Sequence, residues 1–256
     1  MKISFVNHAS LIVDTGDVVL LCDPWLDGRV FNNGWALISP SALKQEQIAR
    51  LTHIWFSHEH PDHFSPSSLK SISKEHRKNI SVLFQETKDK RVIKFCSKLG
   101  FKTVTELKPD NWMNLSESTK VLCNPQCDAW QADSWLCLQA NNECFLNVND
   151  CGIHTSKTAQ RIAAKTGPVD ILCTQFSYAA WQGNLEAIDE HKVQALKALQ
   201  HIQTQAAELK AKFVLPFASF IWFCHNENYS LNTGMNRIDT AAEWIETETN
   251  AQPLVL

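Results

Sequence analysis

One stretch limits what this chain can become more than any other. "THIWF" is an apolar run, and it leads directly into "FSHEHPDHF", residues 56–64, where three histidines and two acids share nine positions. A short apolar run bounded by polar residues reads as a buried strand. The cluster therefore lies just past a strand's C-terminal end. Side chains two apart on extended backbone point the same way, so His58 and His60 can reach one ion. Asp62 and His63, after the bend at Pro61, can aim at a second point close by. Neutral imidazoles and a carboxylate suit Zn²⁺, Fe or Mn²⁺. Glu59 falls between two ligands, points away from them and is given no catalytic task. Only ten histidines occur in 256 residues, so this density is not that of an ordinary solvated loop.

The rest of the chain alternates strands and helices. "KISFV", "SLIVD" and "VVLLCD" read as a meander with "DTGD" as a turn signal. "SPSSLKSISKEH" reads as a helix with serines to cap it. Strand "ISVLF" precedes a helical pattern over 87–99 that Gly100 can stop. "FKTVTEL" and "KVLC" read as strands, and "SWLCLQ" and "CFLNV" flank a turn at "ANNE". Further on come a helix ending at Gly167, strand "VDILCT", a long amphipathic helix over 185–211, strand "KFVLP" and helix "RIDTAAEWIETE". No repeat or linker is visible, so residues 1–256 read as one domain. Strands and helices in both halves favour two mixed sheets packed face to face with helices outside.

Composition narrows the class. Hydrophobic residues make up 44% and charged residues 20%, enough for a sizeable core, and the net charge of -3 argues against a nucleic-acid partner. The nine cysteines are odd in number, lack C-x-x-C spacing and mostly sit in apolar runs. The first 20 residues have no signal-peptide pattern, and no apolar run approaches the roughly 20 residues that span a bilayer. The expectation is a cytoplasmic protein with reduced thiols and no membrane partner. The oligomeric state stays open, a homo-oligomer included.

With the H-x-H-x-D-H loop after a strand of the first half, the chain resembles the metallo-β-lactamase-fold superfamily. That resemblance implies an α+β fold, an αββα four-layer sandwich with a dinuclear metal site at one edge of its sheets. His58 and His60 would bind one ion and Asp62 and His63 the other. An acid ending a later strand would bridge them, here Asp150 in "CFLNVNDCG". "VNHASLIV", "LLCDPWLDGRVFNNGW", "SHEHPDHFSPSSLKSI", "FLNVNDC" and "VLPFASFIWFCHNEN" together look like the catalytic domain of the CMP-N-acetylneuraminate hydroxylase family. They look, more distantly, like the branch holding ascorbate-6-phosphate lactonase. Two departures stand out. The hydroxylase's Rieske domain needs paired C-x-H and C-x-x-H elements, which this chain lacks. The family's third histidine on the first ion should fall within "NPQCDAWQAD", where there is none. Asp128 is the chosen substitute, with Cys127 and Asp133 as rivals. His225 fits the family's last histidine.

The resemblance places His8 near the site, as a ligand-supporting or substrate group. Asp23 either fixes a ligating histidine or serves a turn. Trp25, Arg29, Trp35 and Trp181 are candidates for a substrate pocket. Core packing is the simpler reading of each tryptophan, and a solvated charge that of Arg29. The leading expectation is a dinuclear hydrolase acting on a small anionic phosphoester, lactone or sugar derivative, with Asp62 and Asp150 as catalytic residues. The alternative is a non-haem iron oxygenase drawing electrons from a separate protein or from the substrate.

Overall fold

The computed structural model of the chain describes residues 1–126 and 133–256. Its strands are β1 Lys2–Asn7, β2 Ser10–Asp14, β3 Val19–Cys22, β4 Arg29–Val30, β5 Trp35–Leu37, β6 His53–Phe56, β7 Ser81–Gln85, β8 Thr103–Leu107, β9 Met113–Asn114, β10 Thr119–Pro125, β11 Ser134–Ala140, β12 Glu143–Asn149, β13 Ile171–Gln175, β14 Phe213–Phe217, β15 Ile221–Phe223 and β16 Gln252–Pro253. Its α-helices are α1 Gln45–Arg50, α2 Pro66–Ser71, α3 Lys74–Arg77, α4 Arg91–Leu99, α5 Ser156–Thr166, α6 Ile188–Glu208 and α7 Ile238–Glu248. They form two compact units, Met1–Asp27 with Ser39–Glu143, and Gly28–Ile38 with Cys144–Leu256.

The first unit holds a six-stranded sheet in the order β1-β2-β3-β6-β7-β8. Its first three strands are antiparallel because their connections are tight turns. At the second turn Thr15 N–H donates to Val18 O at 2.9 Å, with Gly16 at φ 104°. β3, β6, β7 and β8 run parallel, which demands long crossovers, and α1 to α4 lie within them. Strands buried on both faces read as continuous apolar runs, as "LLC", "IWF" and "VLF" do. Leu21, Ile54, Phe56, Val82 and Phe84 form the core with Leu69, Val92 and Cys96 from the helices. Each fully buried phenylalanine contributes on the order of 1.5–3 kcal/mol. A separate antiparallel ladder joins β9, β10 and β11, with Thr119 opposite Ala140 and Pro125 opposite Ser134.

In the second unit β12, β13, β14 and β16 are parallel neighbours. α5, α6 and α7 are their crossovers. α6 buries His191, Ala195, Leu199, Ile202 and Ala206, the three-and-four spacing of one helical face. A small antiparallel sheet, β4-β5-β15, completes the unit.

Local chemistry corrected two sequence expectations. The helix expected over 65–76 is two helices. Ile72 is extended at φ −65°, ψ 127° and the Ser73 hydroxyl accepts from His76 N–H, so a new cap interrupts the run. The helix expected from residue 87 begins at Arg91, because Lys90 is left-handed at φ 58° and Asp89 accepts from Arg91 N–H at 3.1 Å. Asn141 and Asn142, at φ 53° and 62°, make the two-residue turn read at "ANNE". None of the eight described cysteines is in a disulfide, and seven of them are buried. No helix among the described residues is long and apolar enough to cross a membrane.

His53, at the start of β6, gives a stability test. Burial, aided by Lys102, pushes its imidazole down from 6.5 to about 4. Between those pH values the unfolded chain takes up a proton that the folded unit refuses. Stability is therefore full above pH 6.5 and falls as the pH drops through the window. His53→Gln removes that uptake, so its thermal midpoint should fall less than the wild type's between pH 7 and pH 4. Equal pH slopes in the two proteins would contradict this account.

Candidate metal centre

The site in the first unit is built at the C-terminal edge of its parallel strands. β3 and β6 are paired with Cys22 opposite Trp55, so Asp23 and Ser57 leave their strands side by side. Asp23 N–H donates to Trp55 O at 2.9 Å. Its fully buried carboxylate accepts from Ser57 N–H at 2.7 Å and from the Ser57 hydroxyl at 2.8 Å. The Ser57 carbonyl in turn accepts from Gln85 Nε2 at 3.2 Å and from the Ser134 hydroxyl at 2.6 Å. The loop is thereby tied to β7 and β11 before the first histidine is reached.

This network assigns the imidazole tautomers. A hydroxyl donates once, and that of Ser57 donates to Asp23. It must accept from His58 Nδ1–H, 2.9 Å away. His58 Nε2 is left as a lone pair, 2.9 Å from His60 Nδ1. His63 Nδ1 lies 3.2 Å from Asp23 Oδ2 and donates to it. That leaves His63 Nε2 as a lone pair, 3.2 Å from Asp62 Oδ2. Asp62 is itself buried, at 2% exposure. Two buried acceptors this close repel unless a cation or a proton lies with them. The donor set fits a metal ion.

Two groups of ligand atoms result within this unit. His58, His60 and Asp133 each place one within 4.8 Å of the others, as do His8, Asp62 and His63. Asp133 Oδ1 is 3.7 Å from His58 Nδ1. Asp128 and Cys127 lie outside the described residues, so Asp133 is the described member of the three substitutes for the missing histidine. His8, 1% exposed, has Nε2 3.3 Å from Asp62 Oδ2.

In the second unit, Asp150 Oδ1 accepts from Gln175 Nε2 at 2.7 Å at the end of β12. His225 is half-exposed on a turn after β15, where its Nδ1 accepts from Glu227 N–H at 3.3 Å. Of the pocket candidates, Trp25 is a core residue whose indole N–H donates to Asp27 O at 2.8 Å. Trp35 packs edge-on against Phe31 and Phe223. Arg29 and Trp181 are exposed.

A cleft of about 700 Å³ opens beside His58 and His60, lined by Glu59, Gln85, Lys88, Arg91 and Asp133 among others. Glu59 is in neither group of ligand atoms described above and forms part of this wall. It pairs with Arg91 Nη2 at 3.1 Å, and burial pushes its carboxyl up. Arg91 is also bridged to Asp89 at 2.7 Å. Lys88 is the cleft cation that makes no ion pair among the described residues. Sequence reasoning missed Ser57, Gln85, Ser134, Lys88 and Arg91. Only Ser57 carried a signal, as the residue between the buried strand and the first histidine.

Comparison with known proteins places these features in a family. Residues 2–218 match the family described as "Beta-lactamase superfamily domain". The cytidine monophosphate-N-acetylneuraminic acid hydroxylase of Mus musculus is 24% identical over 238 residues, covering 88% of this chain and 40% of that protein. CmlA, a diiron β-hydroxylase from Streptomyces venezuelae, superposes with a TM-score of 0.68 at 14% identity, over 98% of this chain and 52% of CmlA. An isothiocyanate hydrolase from Delia radicum gut bacteria gives 0.65 at 14% identity, over 100% of this chain and 96% of its own. The chain thus spans about half or less of the hydroxylases it matches. Its strands and helices follow the metallo-β-lactamase fold, and with a matched segment covering most of its length, the chain belongs to the beta-lactamase superfamily.

Proposed function

We propose that this chain is a dinuclear metal-dependent hydrolase of a small anionic substrate. The observation that carries the reading is the buried pair of acceptors, His63 Nε2 and Asp62 Oδ2, 3.2 Å apart, with the other nitrogen of His63 committed to Asp23. His58, His60 and Asp133 would hold the first ion, and Asp62 and His63 belong to the second. Bound divalent ions supply Lewis-acid polarisation of the substrate and lower the pKa of a water for attack. The chain's own part is to present lone pairs, keep Asp62 ionised and exclude solvent from the ligand loop. Lys88 and Arg91 give the cleft two cations to meet an anionic group, with Arg91 exchanging Glu59 or Asp89 for substrate. Reduced, buried thiols suit a cytoplasmic setting.

A specific observation favours a second reading, that of an iron oxygenase. Two histidines and a carboxylate gather at the first position, a donor set suited to non-haem iron. The mouse relative and CmlA are both named as hydroxylases. Electrons would then come from a separate protein or from the substrate.

Three outcomes test these readings. Protein purified without added metal should contain zinc or manganese and turn over phosphoester or lactone substrates without O₂. Iron with O₂-dependent turnover would replace the first reading by the second. His60→Ala should lose the first ion and the thermal stabilisation that metal gives the wild type; unchanged metal content would remove His60 from the centre. Asp23→Asn turns an acceptor into an amide donor facing His63 Nδ1, which moves the imidazole proton to Nε2. Affinity for the second ion should fall about 10–100-fold, read by chelator competition. Wild-type affinity in that variant would refute the tautomer assignment.

A further inference from the structure

We propose that His8 is a positioning residue whose Nε2–H holds the Asp62 carboxylate in place for the second ion. The inference rests on the reading that Asp62 and His63 bind that ion.

Hydrogen supply singles out His8. Asp62 Oδ1 is buried and has no hydrogen-bond partner among the described residues. Oδ2 faces two imidazole nitrogens, His63 Nε2 at 3.2 Å and His8 Nε2 at 3.3 Å. A neutral imidazole carries one N–H, and that of His63 is given to Asp23 at 3.2 Å. His8 is therefore the residue that can donate to Asp62 while His63 keeps its lone pair for metal. Donation from Nε2 also suits His8 itself. Its Nδ1 is buried without a partner among the described residues, and a ring acceptor left unpaired is tolerated better than an orphaned N–H.

The position is retained against two local penalties. His8 sits between β1 and β2 at φ 26°, a backbone region that side-chain-bearing residues rarely adopt. It also leaves one ring nitrogen unsatisfied in a fully buried place. Packing alone does not call for an imidazole here, since the ring meets Trp25 and His63 edge-on at 5.7 and 5.6 Å, contacts an apolar ring would make. The contact that needs nitrogen is the one to Asp62.

The test uses zinc titration of the metal-free full chain against a chromophoric chelator. Wild type should bind two ions. His8→Ala should bind the first ion with unchanged affinity and the second about 10–100-fold more weakly. His8→Gln places an amide N–H near the old Nε2 and should restore the second affinity to within about threefold. His8→Asn places its N–H near the old Nδ1 and should not restore it. If the alanine variant fails to fold, the Gln–Asn pair carries the same comparison, since Asn accepts positive φ readily. Wild-type affinity in His8→Ala overturns the proposal, as does a glutamine variant as weak as alanine, which would mean direct ligation or a packing role. A wild type that takes up fewer than two ions would instead overturn the proposed centre.

Discussion

Asp23 lies in a place where an isolated carboxylate would be very costly, with no exposure to solvent. Three donors meet it: the backbone N–H and hydroxyl of Ser57, and Nδ1–H of His63. Charge-assisted hydrogen bonds of this kind are about twice as strong as neutral ones. They impose a fixed proton order on the loop. Because Ser57 spends its hydrogen on Asp23, His58 must donate to Ser57; because His63 donates to Asp23, its other nitrogen carries the lone pair. One carboxylate thus decides which nitrogen of two imidazoles keeps its lone pair.

That carboxylate is placed by sheet register. The pairing of Cys22 with Trp55 brings the chain out of two neighbouring parallel strands at the same level. Beneath the polar edge, Leu21, Ile54 and Phe56 are packed into the core, so the strand ends cannot shift without disturbing close-packed side chains. The division of labour runs along each strand: apolar residues fix its position, and the first polar residues beyond its end use that position. Ser57 is the point of transfer, since its carbonyl is held from β7 and β11 as its side chain serves Asp23.

Much of this was legible in the sequence, for reasons that differ by residue. The apolar run of β6 and the alternation of H-x-H-x-D-H depend only on local geometry, so the strand and the convergence of His58 with His60 could be read directly. The asparagine pair at 141–142 likewise announces positive φ. Asp23 was read as either a turn residue or a support for histidine, and nothing local chooses between them; the choice comes from strand pairing across 34 residues. Ser134 and Gln85 were invisible for the same reason, being ordinary polar residues given meaning by a distant carbonyl. The break at Ile72–Ser73 was missed because a serine inside a helical pattern can cap a new helix as well as decorate an old one. The resemblance supplied what spacing could not, the family and its fold.

The cleft and the ligand loop come from different crossovers. His58, His60, Asp62 and His63 follow β6, whereas Lys88 and Arg91 follow β7. Lys90 is clipped to Glu106 at 2.7 Å, which secures the latter segment from its far side. The two sets of side chains are therefore separately mutable: Lys88 and Arg91 can be exchanged without altering the segment of backbone that carries the histidines.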